Sequence, residues 1–193
     1  MSTIVHTRTR RLVGVACIAV ASVAPTLLMA QGAPALAIGS TAPDFTIKAV
    51  NVSGVIPKPF KLSEHRGETV VLAFFPKART GGCTMQMRGY RDQYATLFNG
   101  GTKVTLLGIS VDPDTALVAW AGEEKFQFTF GSDADRTVGK LYGASDGTGV
   151  HKRVLYVVGP DGKITYLATP FKQMAAEAYT ELGAAIARTS GGK

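Results

Sequence analysis

Cysteine is scarce in this chain. Of 193 residues only Cys17 and Cys83 are cysteine, too few for a disulfide-stapled scaffold, a multi-cysteine zinc site or an iron–sulfur cluster. Histidine is almost as rare: His6, His65 and His151 are all there is, a thin ligand set for a metal centre or copper carrier. No acid precedes Asp44, no internal repeat is visible, and Lys and Arg never form a run of five. A repeat array and a nucleic-acid groove are therefore unexpected. What remains is ordinary for one globular domain: 46% hydrophobic and 18% charged residues, with 22 glycines that follow no period.

The acid-free start has the shape of an export signal. Arg8, Arg10 and Arg11 precede an apolar run from Leu12 to Ala24, broken by Pro25 and resumed at Leu27–Ala30. Ala35-Leu36-Ala37 places small residues where a signal peptidase reads, so a cleaved signal peptide over residues 1–37 and a mature domain over 38–193 are expected. The run is Ala-rich and short of the roughly 20 strongly apolar residues of a spanning helix, so no stable membrane association is expected after cleavage. Arg10-Arg11 also resembles a weak twin-arginine signal. Cys17 lacks the Leu of a lipoprotein box and reads as a small apolar residue of the signal. Cleavage removes three arginines and no acid, lowering the formal charge from +7 to +4. It also leaves Cys83 as the single thiol of an exported, periplasmic or secreted protein, and an unpaired thiol there is either intermolecular or reactive.

In the mature region, short extended stretches at Thr46–Val50 and Pro59–Leu62 flank the turn at Asn51–Gly54 and predict a hairpin. Three apolar, β-branched runs predict buried strands: Thr69–Phe75, Val104–Val111 and Val154–Val158. Met87, Tyr90, Tyr94 and Leu97 recur at helical steps, predicting a helix from near Cys83 to just before Asn99. Asp114 and Asp133 are expected to open two more, the second with Val138, Leu141 and Tyr142 facing inward; Met174, Ala178, Leu182 and Ile186 mark the last helix. Gly159-Pro160-Asp161-Gly162 is a tight turn joining the third strand to Lys163–Leu167 in an antiparallel hairpin. Strands alternating with helices before a closing hairpin describe an α/β three-layer sandwich with a mixed central sheet flanked by helices. Ligands of open α/β sheets bind at the carboxyl ends of strands, where Cys83 lies.

A thiol is a weak nucleophile when protonated, and the first turn of a helix favours the thiolate because unpaired N–H groups and the positive dipole end face the sulfur. In Pro76-Lys77-Ala78-Arg79-Thr80-Gly81-Gly82-Cys83-Thr84-Met85-Gln86 the cysteine sits at such a start. Thr80 is a natural cap whose hydroxyl can donate to the sulfur and accept from a substrate O–H. The two glycines let main chain approach closely, and Pro76 can shield the pocket from water.

The Pro76, Thr80 and Cys83 spacing resembles the active-site motif of the peroxiredoxins, the alkyl hydroperoxide reductase/thiol-specific antioxidant family. The resemblance covers nearly the whole mature chain: Gly39–Phe45, the strand before Pro76, Arg91-Asp92, Leu107–Asp112, Phe130–Asp133 and Arg153 ahead of Gly159–Ile164. Thr80–Gln86 is most similar to the bacterioferritin comigratory protein, or peroxiredoxin Q, subfamily, with Gly81 in place of a Pro. The resemblance implies a thioredoxin-like fold and a thiol peroxidase acting on hydrogen peroxide and organic hydroperoxides. It makes Cys83 the peroxidatic cysteine and Thr80 the residue that orients the peroxide. Arg153 would stabilise thiolate and developing charge, Pro76 would act as a shield, and Gly82 and Gln86 would border the substrate. No cofactor or metal is implied, and a monomer or weak dimer is expected.

One departure defines the expected mechanism. Many members carry a resolving cysteine five residues after the first, but that position here is Arg88. A one-cysteine route follows, with the sulfenic acid reduced by an external thiol or thioredoxin-like reductant. A Cys-x-x-Cys disulfide oxidoreductase is disfavoured because Gln86 holds the second position. A redox sensor or interaction module, in which oxidised Cys83 alters a partner surface without turnover, uses the same thiolate and stays open.

Overall fold

Strand Thr69–Phe74, at the centre of the sheet, is apolar on both faces because both are covered. The computed structural model describes residues 1–3, 36–145 and 147–191; most of the expected leader, Cys17 included, lies outside them. The strands are β1 (Thr46–Asn51), β2 (Gly54–Val55), β3 (Phe60–Lys61), β4 (Thr69–Phe74), β5 (Val104–Ser110), β6 (Thr129–Ser132), β7 (Val154–Val158) and β8 (Ile164–Ala168). The helices are α1 (Gly81–Asp92), α2 (Tyr94–Leu97), α3 (Asp114–Glu124), α4 (Thr137–Leu141) and α5 (Ala176–Gly191). The sheet runs β2-β1-β6-β5-β4-β7-β8, with β3 paired to the start of β1. It is mixed, as expected: β4, β5 and β6 are parallel, while β7 is antiparallel to β4 and β1 to β6.

Successive side chains of β4 serve opposite layers, the two-residue period of a strand. Val71 and Ala73, followed by Phe75, join Cys83, Met87, Tyr90, Trp120, Leu155 and Leu182 in one core. Val70, Leu72 and Phe74 join Phe45, Ile47, Val138, Tyr142, Val154 and Tyr156 in the other. Each such large side chain contributes about 1.5–3 kcal/mol on burial. The strand is thereby fixed in register, and the chain that leaves its carboxyl end is held in place.

The β7–β8 hairpin forms as expected. Gly162 takes φ +78° in its turn, and the Gly159 and Lys163 main chains close it at 2.8 Å. Several expectations need correction. The helix expected from Cys83 towards Asn99 divides at Gln93 (φ −109°, ψ 17°) into α1 and α2. β6 is a strand that pattern reading did not separate, because its four residues are too short to show a period. Leu141 and Met174 are exposed rather than inward, and Met174 lies before the last helix. Asp133 does support α4, but from four residues ahead: its carboxylate accepts the N–H groups of Val138 and Gly139.

Candidate active site

The loop after β4 is held on both sides before it turns into α1. Asp112, buried just past β5, accepts the Ala78 N–H at 2.7 Å and the Ser110 hydroxyl at 2.9 Å through Oδ2. Arg79 adopts a left-handed conformation, φ 60°, which costs a non-glycine residue about 1–2 kcal/mol. Two bonds to the Glu123 carboxylate and one to the Ala116 carbonyl, all from its guanidinium, hold it there. Thr80 is the N-cap, in extended conformation, and the first main-chain bond of α1 runs from Thr84 N to Thr80 O at 2.8 Å. The N–H groups of Gly82 and Cys83 therefore precede the helical ladder and point out of its first turn.

Cys83 is 1% exposed. Its Sγ accepts a hydrogen bond from Arg153 Nη2 at 3.3 Å, and Arg153 Nη1 donates to Gln86 Oε1. Gln86 Nε2 in turn donates to the Tyr90 hydroxyl at 2.8 Å, and burial pushes the Tyr90 phenol up, keeping it protonated. Cys83, Gln86 and Tyr90 follow at helical steps on the inner face of α1, while Arg153 reaches them from the residue before β7. The main chain of Arg153 is itself pinned, its carbonyl accepting the Phe171 N–H at 3.0 Å. A fixed cation and a helix N-terminus thus face one sulfur, an arrangement that stabilises negative charge developing on the atoms beside it.

The structure brings Cys83 and Arg153 together, and a Cβ on Gly82 would lie 3.5 Å from the Arg153 guanidinium. Thr80 differs in detail: its hydroxyl donates to the Lys77 carbonyl at 3.0 Å, because that acceptor lies three residues back in the same turn. Pro76 is half-buried at the end of β4. Gln86 is corrected: it is 0% exposed, one turn below Cys83, and it holds Arg153 and Tyr90 rather than bordering the substrate. Arg88, five residues after Cys83, makes two 2.7 Å bonds to Glu124, and its guanidinium keeps the Glu124 carboxyl below the usual carboxylate range.

Sequence reasoning missed Asp112, Tyr90, the Glu123–Glu124 pair and Gln173, whose side chain lies 3.1 Å from a Cβ built on Gly82. Two of these had a visible signal: Asp112 stands at the end of a matched strand, and Tyr90 lies on the apolar face expected for the helix. Beside the buried sulfur, a groove of about 630 Å³ runs between α1 and the segment leading to α5, with Gly81, Thr84, Met85, Arg88, Gln173 and Met174 along it. Cys83 is the free thiol among the described residues, and these contain no cluster of three or more metal-ligating side chains.

A thioredoxin-like mixed sheet presenting one thiol at the start of a helix defines the class: a cysteine-centred redox domain. Comparisons with known proteins narrow this. Residues 38–167 match the AhpC/TSA family. Peroxiredoxin Bcp of Escherichia coli K12 is 33% identical over 145 residues, 71% of this chain and 88% of that protein. The chloroplastic peroxiredoxin Q of Sedum lineare is 37% identical over 128 residues, 65% of each chain. The crystal structure of peroxidoxin BcpB from Mycobacterium tuberculosis superposes with a TM-score of 0.68 at 27% identity, covering 79% of this chain and 97% of that one. The chain belongs to the AhpC/TSA family and is a peroxiredoxin similar to the Bcp and peroxiredoxin Q proteins.

Proposed function

We propose that this peroxiredoxin reduces hydrogen peroxide and organic hydroperoxides through Cys83 alone and is restored by an external thiol. The observation that carries the reading is the Arg153 guanidinium 3.3 Å from Cys83 Sγ at the start of α1. The thiolate attacks the terminal peroxide oxygen, the O–O bond breaks, and the departing oxygen takes a proton to leave as water or alcohol. Cys83 becomes a sulfenic acid. Arg153 and the N–H groups of Gly82 and Cys83 stabilise the charge that moves onto the oxygens, and Thr80 and Pro76 border the pocket. A first external thiol attacks the sulfenic sulfur, forming a mixed disulfide and releasing water; a second frees the Cys83 thiol and leaves the reductant as a disulfide.

The one-cysteine route rests on Arg88 standing at the resolving position and on the absence of another cysteine after residue 37. The Arg-led apolar leader supports export to a periplasm or the cell exterior. The reduced mature protein should consume both peroxide types in stopped-flow experiments, and one equivalent of peroxide should add one oxygen to Cys83 by mass spectrometry. Cys83→Ser reacting as fast as wild type, or wild type oxidising no faster than a free thiol, overturns the proposal. N-terminal sequencing of the exported protein tests the leader: a mature chain beginning near Ile38 is expected, and an intact Met1 refutes it.

A further inference from the structure

Apart from the Cys83–Arg153 site, one pair of titratable side chains is buried where no step of the reaction uses it. Asp133 is 2% and His151 1% exposed, and His151 Nε2 lies 3.0 Å from Asp133 Oδ2, outside the angles of a straight hydrogen bond. Burial pushes the Asp133 carboxyl up, but His151 and the N–H groups of Gly139 and Val138 outweigh it and hold the carboxyl below its ordinary value. The imidazole sits directly on Gly139, where a Cβ would overlap the ring, and meets Phe74 edge to face at 5.7 Å. It is therefore gripped by α4 on one side and the end of β4 on the other.

His151 stands two residues before Arg153, and the short stretch between them crosses from one core to the other. In a regular strand, residues two apart share a face. Here His151 packs with Phe74 of the core shared with Val138 and Tyr142, whereas Arg153 reaches Cys83 in the core shared with Met87 and Leu155. Main-chain bonds flank the crossing: Ser145 bridges His151, Lys152 N donates to Ala144 O at 2.7 Å, and Phe171 N to Arg153 O. The long Arg153 side chain is directed by where its backbone starts, and a displacement of about 1 Å at a catalytic group can cost on the order of a hundredfold in rate.

We infer that His151, seated on Gly139 between α4 and Phe74 and beside Asp133, is a positioning residue for Arg153: it fixes the point at which β7 begins, so that the guanidinium reaches Cys83 Sγ. The inference rests on the reading of Cys83 as nucleophile with Arg153 as its partner.

The test is a set of double-mutant cycles. His151→Phe keeps a ring but no polar atom, and Gly139→Ala displaces the imidazole without removing any polar group from the chain. His151→Gln retains an amide N–H directed towards Asp133. Each is made in wild-type and Arg153→Met backgrounds, folding is checked by circular dichroism, and the second-order rate of Cys83 oxidation by hydrogen peroxide is followed across pH. His151→Phe and Gly139→Ala are expected to slow oxidation by about tenfold or more and to move the acid limb of the rate profile upward, as Arg153→Met does. His151→Gln should recover most of the rate, and in the Arg153→Met background none of the three should slow it further.

Wild-type rates in folded His151→Phe or Gly139→Ala, or an undiminished slowing in the Arg153→Met background, overturn the inference. Should His151→Phe fail to fold, Gly139→Ala carries the comparison. Arg153→Met oxidising at the wild-type rate refutes the underlying reading of Arg153, an outcome distinct from a slow Arg153→Met beside a fast His151→Phe.

Discussion

Gln86→Glu is the sharpest probe of the Cys83 site, because it changes one charge at nearly constant shape. Gln86 lies three residues after Cys83 on α1 and accepts from Arg153. Residues at that spacing are about 5–6 Å apart. A carboxylate there, held ionised by Arg153, repels the thiolate by about 2.8 kcal/mol for roughly 6 Å and an effective dielectric near 20. Each 1.36 kcal/mol is about tenfold in the thiolate equilibrium, so the ceiling is about a hundredfold. Arg153, shared between the two anions, reduces this, and oxidation of Cys83 at neutral pH should slow by about ten- to a hundredfold.

Stopped-flow oxidation by hydrogen peroxide across pH is the assay, and the deficit should shrink as pH rises and the thiolate fills. Thermal melts separate charge from packing. Gln86→Glu keeps the acceptor for Arg153 and replaces the Nε2 donor with an oxygen that can accept from the Tyr90 hydroxyl, whereas Gln86→Leu orphans both groups at about 1–3 kcal/mol each. At about 2–4 °C per kcal/mol for a domain of this size, Gln86→Leu should melt several degrees lower. A Gln86→Glu protein that oxidises at the wild-type rate, with an unshifted pH profile, refutes the electrostatic account of the site.

Asp112→Ala removes the acceptor of the buried Ala78 N–H and should cost about 1–3 kcal/mol, read by urea denaturation, together with slower Cys83 oxidation; an unchanged midpoint refutes the pinning role. Arg88→Ala or Glu124→Ala loosens the clamp between α1 and the end of α3, leaving the Arg91 bond to the Glu124 carbonyl, and the oxidised protein should then be reduced faster by a bulky dithiol with little change in the peroxide step; equal reduction rates refute it. Asp133 has a carboxyl held below its ordinary value of 3.8, so its contribution to stability is complete above that value and is lost as pH falls through the lowered one. Acid titration of stability should therefore be steeper in wild type than in Asp133→Asn, and parallel curves refute this.

Much of the fold was legible because β4, β5 and β7 are predominantly apolar and the Gly159–Gly162 turn has a fixed chemistry. β6 was not, since four residues carry no period, and the break at Gln93 was hidden because Tyr94 and Leu97 continue the helical spacing on α2. Met174 matched the spacing of α5 but lies outside it, exposed. At the site, Cys83, Thr80 and Pro76 are close in sequence and could be read together. Gln86 was placed in the motif but given the wrong task, because its burial depends on Tyr90 and Arg153 converging on it.

The sequence alone was enough to single out Cys83, to put it at the start of a helix and to show Arg88 five residues after it, all matters of residues a few positions apart. Only the tertiary structure decided what surrounds the sulfur. Arg153 comes from 70 residues away, Asp112 from 34 residues beyond the main chain it holds, and His151 secures the backbone from the opposite core. Such contacts follow from strand order, which sets the neighbours of the end of β4, and no local pattern encodes that order.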